Sequence, residues 1–293
     1  MLTRSTPVTG TLLDNSRTLL RDFRATPSVQ AFYIDATRLT MLISKAGIRF
    51  TFAPLSFQTL SGETVYGEVQ ILLEEVFHKE DIILSNRLTT SEDRLLETGG
   101  QFSIHAFQEG VPLQLAIPIG VEMPILPRFS HTLSMRLFVG SLSSTLTSVA
   151  GKVFDWKMVV DKYLKVNKIS KKKYFYFYIT ELNWFACSTF YAKRTPRTMV
   201  SARCSSPIED LDELAAYLVF NELNSVTRMY PNGNRFTGVN IPANQAASII
   251  MIGCRQGEWF YGSHKMDKTS SQQVTVKLEP VIETQLLEYL HRL

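Results

Sequence analysis

The sequence predicts an all-β protein: two antiparallel β-sandwich domains joined by an extended segment, with a short N-terminal arm and a short C-terminal helix. Three observations carry this. Residues 47–77 hold two stretches of period-two alternation. Ile48, Phe50 and Phe52 alternate with Arg49 and Thr51; Val65, Val69, Ile71 and Leu73 then fall on one parity and Glu68, Gln70 and Glu74 on the other. Successive side chains of a strand point to opposite faces, so both stretches read as half-buried strands. Short apolar runs recur along the chain with turn residues between them, the pattern of sandwiches and barrels. Finally, 293 residues exceed what one compact domain commonly needs, so two domains are expected.

In chain order, residues 1–30 read as an arm. Leu12, Leu13, Leu19, Leu20 and Phe23 approximate one face of a helix over 11–23, closed by Pro27. Residues 31–121 read as the first sandwich, with strands at 32–34, 39–43, 81–84, 101–107 and 111–117 besides the pair already described. Residues 122–198 read as an extended, β-rich middle segment. Pro118, Pro124 and Pro127 remove donors and fix φ, which places that stretch at an edge or in a connector. A strand follows at 135–140 and a small, polar loop at 142–151.

Residues 199–293 read as the second sandwich. Strands at 216–220 and 225–230 form a hairpin, and Asn232-Gly233 makes a turn that tolerates positive φ. Further strands lie at 247–254, 258–261 and 273–278. A helix over 283–293 groups Leu286, Leu287 and Leu290 on one face. Ser206, Pro207 and Glu209 have the spacing of a helix N-terminus. Residues 210–214 are therefore compatible with a helical turn ahead of a strand at 217–220.

The composition, 45% hydrophobic, 11% aromatic and 20% charged, suffices for a buried core. The net charge of +4, from 31 basic and 27 acidic residues, is small and dispersed and disfavours a nucleic-acid partner. Cys187, Cys204 and Cys254 contain no CxxC pair. They argue against a disulfide framework or a cysteine zinc site and read as buried thiols, with a single disulfide left open. The N-terminus lacks an apolar stretch of signal-peptide length, and no apolar run approaches a membrane span. The expectation is a chain with no signal peptide, cytoplasmic at synthesis.

Gly47, Pro54, Phe57, Gly67, Val69, Glu75, Asp81, Glu97, Gly99, Gly100, Phe102, Ile104 and Ala106 stand in a recurrent arrangement. It comprises a Gly-to-Pro start, a V-x-G-x-V-like strand, an acidic-aromatic segment and an E-x-G-G-x-F-x-I-x-A strand. This arrangement resembles a ZU5-like β-sandwich domain common in uncharacterised bacterial surface proteins and lipoproteins, and places it at 31–121. The segment around Met135, Arg136, Leu137 and Phe138, the Trp156 region, and Leu182, Trp184 and Phe190 are similar to the segments that come after that domain in those proteins. A polar N-C-D triplet of those proteins is replaced here by Phe185, Ala186 and Cys187. Residues 199–293 resemble a transthyretin-like (prealbumin-type) sandwich. The resemblance implies a fold and no catalytic motif. Proteins of this type carry an export signal, and this chain shows none. The expectation is export within a phage-tail-like contractile injection particle, as cargo or component.

His78, His105, His131, His264 and His291 show no metal-binding spacing. His78 beside Glu74, Glu75, Glu80 and Asp81 lacks a calcium loop and reads as an acidic solvent face. Glu68 and Glu74 share a face but lie roughly 20 Å apart at about 3.3 Å per residue, too far for paired-carboxylate hydrolysis. No nucleophile signature and no phosphate-binding glycine loop appears. No catalytic residue, cofactor or metal ligand is assigned.

Two candidate interaction surfaces stand out. Lys171, Lys172 and Lys173 lead into Tyr174, Tyr176 and Tyr178. They make either a base-stacking platform or, as the balanced charge favours, a strand with phenylalanines inward and tyrosines at a contact surface. Glu68, Gln70 and Glu74 form a second, solvated or partner-facing surface. The expected function is a non-catalytic structural or interaction protein with protein partners or self-assembly. The alternatives are a hydrolase acting on carbohydrate or peptide with a β-sandwich scaffold, or a sheet-surface nucleic-acid binder.

Overall fold

Hydrophobic alternation in this chain resolves into layers. The computed structural model describes residues 29–127, 134–143, 153–169, 172–191, 195–205 and 211–293. The helix expected at 11–23 and the N-cap expected at 206–209 lie outside the described residues. A middle sheet runs in the order β1 (Gln30–Asp35), β5 (Glu68–Val76), β7 (Arg94–Gln108), β15 (Trp184–Phe190), β11 (Arg136–Ser143) and β12 (Val153–Tyr163), every pair antiparallel. Short strands β6 (Thr90–Ser91) and β8 (Val111–Pro112) add to β7. Facing it, an outer sheet runs β13 (Lys165–Ile169), β14 (Lys172–Ile179), β10 (Ile119–Pro124), β3 (Arg49–Phe52) and β2 (Thr40–Ile43), also antiparallel. A small ribbon pairs β4 (Phe57–Gln58) with β9 (Gln114–Leu115).

The alternation does what it predicts here. Phe50 and Phe52 of β3, and Val69, Ile71 and Leu73 of β5, are buried in the core between the two sheets. Phe102 meets Phe50 edge-on at 5.5 Å and stacks on Phe185 at 5.5 Å. Burying each such side chain contributes roughly 1.5–3 kcal/mol.

Three expectations are corrected. Residues 122–198 are not a separate extended segment. Their strands supply three of the middle sheet's eight strands and two strands of the outer one, because strand pairing joins residues distant in sequence. The stretch from Ile119 to Pro124 is no edge or connector: β10 lies between β14 and β3. Pro118 precedes the strand and Pro124 ends it, so the interior positions keep their donors. Residues 81–84 are not a strand but part of helix α1 (Lys79–Leu84). The Asp81 carboxylate accepts hydrogen bonds from the Phe77 and His78 N–H groups and so satisfies the helix start.

The C-terminal unit is an eight-stranded sheet ordered β22 (Gln272–Val276), β16 (Arg197–Cys204), β19 (Arg235–Pro242), β18 (Val226–Asn232), β17 (Glu213–Phe220), β20 (Ala247–Arg255), β21 (Glu258–Met266) and β23 (Glu279–Val281). β16 and β22 pair in parallel. The start of β18 pairs with β17 and its end with β19, so the sheet curls about a core that includes Val200, Met229, Phe236, Leu218 and Met251. Gly233, at φ +60°, helps turn the β18–β19 hairpin where the sequence predicts it.

The opposite side of the curled sheet closes onto the middle sheet. Tyr217, Val219, Ile250 and Ile252 pack with Val76, Phe138, Trp156 and Trp184, with Ile82 and Ile83 of α1, and with Leu286 and Leu290 of α2 (Glu283–His291). The turn after β17 plugs this seam. Asn224 Nδ2 donates to the carbonyls of Phe77 and Thr98, each at 3.0 Å, and the Thr98 N–H donates back to the Asn224 carbonyl.

Candidate interaction surface

The far face of the outer sheet follows from strand parity. Phe175, Phe177 and Ile179 of β14 point into the core, so Tyr174, Tyr176 and Tyr178 point out. Register then lays out two rows. Ile43 opposes Arg49, Arg49 opposes Glu122, Glu122 opposes Tyr176, and Tyr176 opposes Lys165. Met41 opposes Thr51, Thr51 opposes Gly120, and Gly120 opposes Tyr178.

Within the first row Arg49 pairs with Glu122, and the exposed Lys165 stands beyond Tyr176 at its end. The Arg49 guanidinium lies 3.7 Å from the Glu122 carboxylate and 5.0 Å from the centre of the Tyr174 ring. The Tyr176 hydroxyl donates to the Tyr178 hydroxyl, and the two rings meet edge-on at 5.2 Å. That hydrogen bond, aided by partial burial and by the nearby Tyr178 and Glu122, pushes the Tyr176 hydroxyl up to about 12. Each of these favours the neutral phenol.

The structure separates the lysines and tyrosines of the basic-aromatic run. Lys171 lies outside the described residues. Lys172 belongs to β14. Lys173 is exposed, but it shares the inward parity of Phe175 and so projects at the rim rather than beside the tyrosines. Tyr174 is buried, Tyr176 half-buried, and Tyr178 exposed. Sequence reasoning missed Met41 and Ile43, which are 61% and 54% exposed on the same face. The signal was present: residues 41–43 are apolar on both parities.

The second expected surface lies on the other side of the sandwich. Glu68, Gln70 and Glu74 point away from the core on the middle sheet. Gln70 Nε2 donates to the Tyr33 hydroxyl at 2.9 Å. Only Glu68 is exposed; Gln70 and Glu74 are half-buried, so the solvated acidic face shrinks to Glu68. Glu74 opposes Ser103, which opposes Trp184 of the seam. The two predicted surfaces therefore do not converge.

The residues marked out by the resemblance hold the scaffold. The Glu75 carboxylate accepts from Gln30 Nε2 at 2.7 Å, from the Ala46 N–H at 3.0 Å and from the Ser44 hydroxyl, fixing the β2–β3 turn to the middle sheet. Gly100, at φ +142°, leaves no room for a Cβ, which would fall 2.3 Å from Met123. The acidic cluster around His78 disperses. Glu75 and Asp81 serve backbone groups, and Glu80 meets His291 Nδ1 at 2.9 Å. Between α1 and α2 that pair borders an open groove of about 550 Å³, lined also by Leu84, Leu287 and Arg292.

Among the described residues no three His, Cys, Asp or Glu side chains gather as a metal site. The three cysteines are free thiols. Cys187 is buried, which pushes its thiol up, whereas Cys204 and Cys254 are only half-buried, a correction to the expectation of three buried thiols. No helix among the described residues is long and apolar enough to cross a membrane. No family model, curated protein or solved structure matches the chain.

Proposed function

We propose that the chain is a non-catalytic structural or interaction protein that works by protein contact through the far face of the outer sheet. One observation carries the reading. Met41, Ile43 and Tyr178 stand exposed on a sheet whose other side is packed into a core. Exposed apolar and aromatic groups on a rigid sheet, beside the paired Arg49 and Glu122, have the composition of a protein interface. The disposition of Glu75 and Asp81 agrees, since both carboxylates serve backbone groups of the scaffold.

The geometry favours protein over nucleic acid. Stacking of successive bases needs several open aromatic faces beside free cations. Here Lys165 is exposed, but Tyr174 is buried and Tyr176 half-buried, so of the three tyrosines Tyr178 alone offers an open ring, and Arg49 is already paired with Glu122. The hydrolase alternative would place its chemistry at the Glu80–His291 groove, where carbohydrate and peptide panels with a Glu80→Gln variant test it.

The main test places a photo-crosslinking amino acid at position 178 and, as control, at position 68 on the other side of the sandwich. In producing cells, position 178 should give discrete protein adducts and position 68 should not. Adducts from position 68 alone would sink the reading. Mass spectrometry of the adducts separates a second copy from another protein. Assembly into a contractile injection particle is the finer form of the proposal. Co-purification with sheath and tube proteins is its test, and absence from such particles would end it.

A further inference from the structure

We propose that β2 is a strand-addition site for an extended segment of a partner protein, apolar where it meets Met41 and Ile43 and acidic where it meets Lys45. The proposal rests on the interaction reading above and specifies how the partner is held.

The backbone gives the first reason. Ser44 N–H donates to the Ile48 carbonyl at 2.9 Å. In an antiparallel pair the bonded positions alternate, so Leu42 and Thr40 also turn their peptide groups toward β3. The N–H and C=O groups of Met41 and Ile43 therefore point off the edge of the sheet. Among the described residues β2 pairs with β3 alone. The same two residues carry the exposed apolar side chains, with Leu39 71% exposed just before them. An added strand would thus gain main-chain bonds and apolar contacts from the same positions. Proteins commonly guard an edge with proline, lysine or a bulge; β2 reads Thr-Met-Leu-Ile and has none of these.

Charge then selects the occupant. Arg38 and Lys45 flank the strand. Arg38 is paired with Asp35 at 3.2 Å. The Lys45 ammonium is exposed and makes no ion pair among the described residues. A second copy running antiparallel would set its own basic ends against these, and like charges across a strand pair are destabilising. An acidic segment meets the opposite sign. The edge is also preformed, because Glu75 pins Ser44 and Ala46. The ordering cost then falls mainly on the incoming peptide.

The probe is a fluorescein-labelled ten-residue peptide that alternates valine with threonine and carries glutamates at both ends, read by fluorescence anisotropy. Two further versions carry N-methyl groups on alternate residues, one in each phase, so that only one phase blocks the N–H groups facing β2. The protein variants are Met41→Pro and Tyr178→Ala. Position 41 donates no ladder bond, so proline there should preserve the fold, as circular dichroism will check. Binding should fall at least about tenfold with one methylation phase and stay within about threefold with the other, since only one phase blocks the several main-chain hydrogen bonds to β2. Met41→Pro should cause a similar loss, and the same peptide with lysines in place of its terminal glutamates should bind more weakly.

Equal binding by both methylated peptides, or no binding by the parent peptide, overturns the proposal. Binding lost with Tyr178→Ala but kept with Met41→Pro leaves the face as the contact and removes strand addition. A dimer seen by light scattering and abolished by Met41→Pro would make the occupant a second copy and overturn the acidic partner. If Met41→Pro unfolds, the difference between the two methylation phases decides by itself.

Discussion

The middle sheet and the outer sheet share one core, and each turns its remaining side chains the other way. On the middle sheet that far face carries Phe138, Trp156, Trp184 and Ala186, all buried under β17, β20 and the two helices. On the outer sheet it carries Met41, Ile43 and Tyr178, all exposed. Both sheets are antiparallel, and both alternate. The difference is the neighbour. Period-two patterning says that a strand has two faces, and tertiary context decides whether the second is dry. A large apolar group on the covered face belongs to folding; the same group on the open face is available for contact.

Substitutions can break or sharpen that contrast. The largest effect is expected for Trp156→Ala on the covered face. It removes a fully buried ring and the 2.8 Å bond from its Nε1 to the Leu88 carbonyl. The loss should be about 3–5 kcal/mol in urea unfolding. Tyr178→Ala on the open face should cost less than about 1 kcal/mol. Equal losses at the two sites would erase the distinction.

A middle-sized effect is expected at the joint that does the covering. Asn224→Ala leaves the Phe77 and Thr98 carbonyls without its amide. It should cost about 1–3 kcal/mol, with faster hydrogen exchange at Thr98, whose N–H bonds the Asn224 carbonyl. Unchanged exchange there would mean that the turn does not hold the seam.

The smallest effect concerns the open face alone. Tyr178→Phe removes the acceptor of the Tyr176 hydroxyl, whose pKa should fall from about 12 toward the ordinary tyrosine value. A pKa raised in the folded state stabilises below the unfolded value, and that contribution is lost as pH climbs through the folded one. The unmodified protein should therefore lose stability between about pH 10 and 12, and the variant should lose less of it. Ultraviolet titration of the phenolate reads the shift directly, and an unmoved Tyr176 titration would refute the bond as its cause.

Much of the fold was legible and little of the surface. Alternation at Phe50 and Phe52, the Asn232-Gly233 turn, and the leucine spacing of α2 are local signals, and each appears where it was expected. The assignment of 122–198 failed because nothing local in Trp184 or Phe138 records that their strands pair with β7 and β15. Helix α1 was misread because Ile82, Ile83 and Leu84 form an apolar run too short to show a period; Asp81, three residues after His78, was the overlooked start signal. The tyrosines were placed on the correct face by parity. That Arg49 closes over Tyr174, and that Met41 and Ile43 share the surface, depends on the order of strands in the sheet, which one sequence does not encode in any short window.

β7 has a further consequence. Its fifteen residues extend about 50 Å at about 3.3 Å per residue. Leu95 enters the core of the curled sheet, Leu96 the seam, and Phe102, Ile104 and Ala106 the core of the sandwich. In mechanical terms the strand is a tie rod through all three cores. Tension between the C-terminal unit and the sandwich would load its bonds to β5 and β15 in shear, many at once, instead of unzipping them singly.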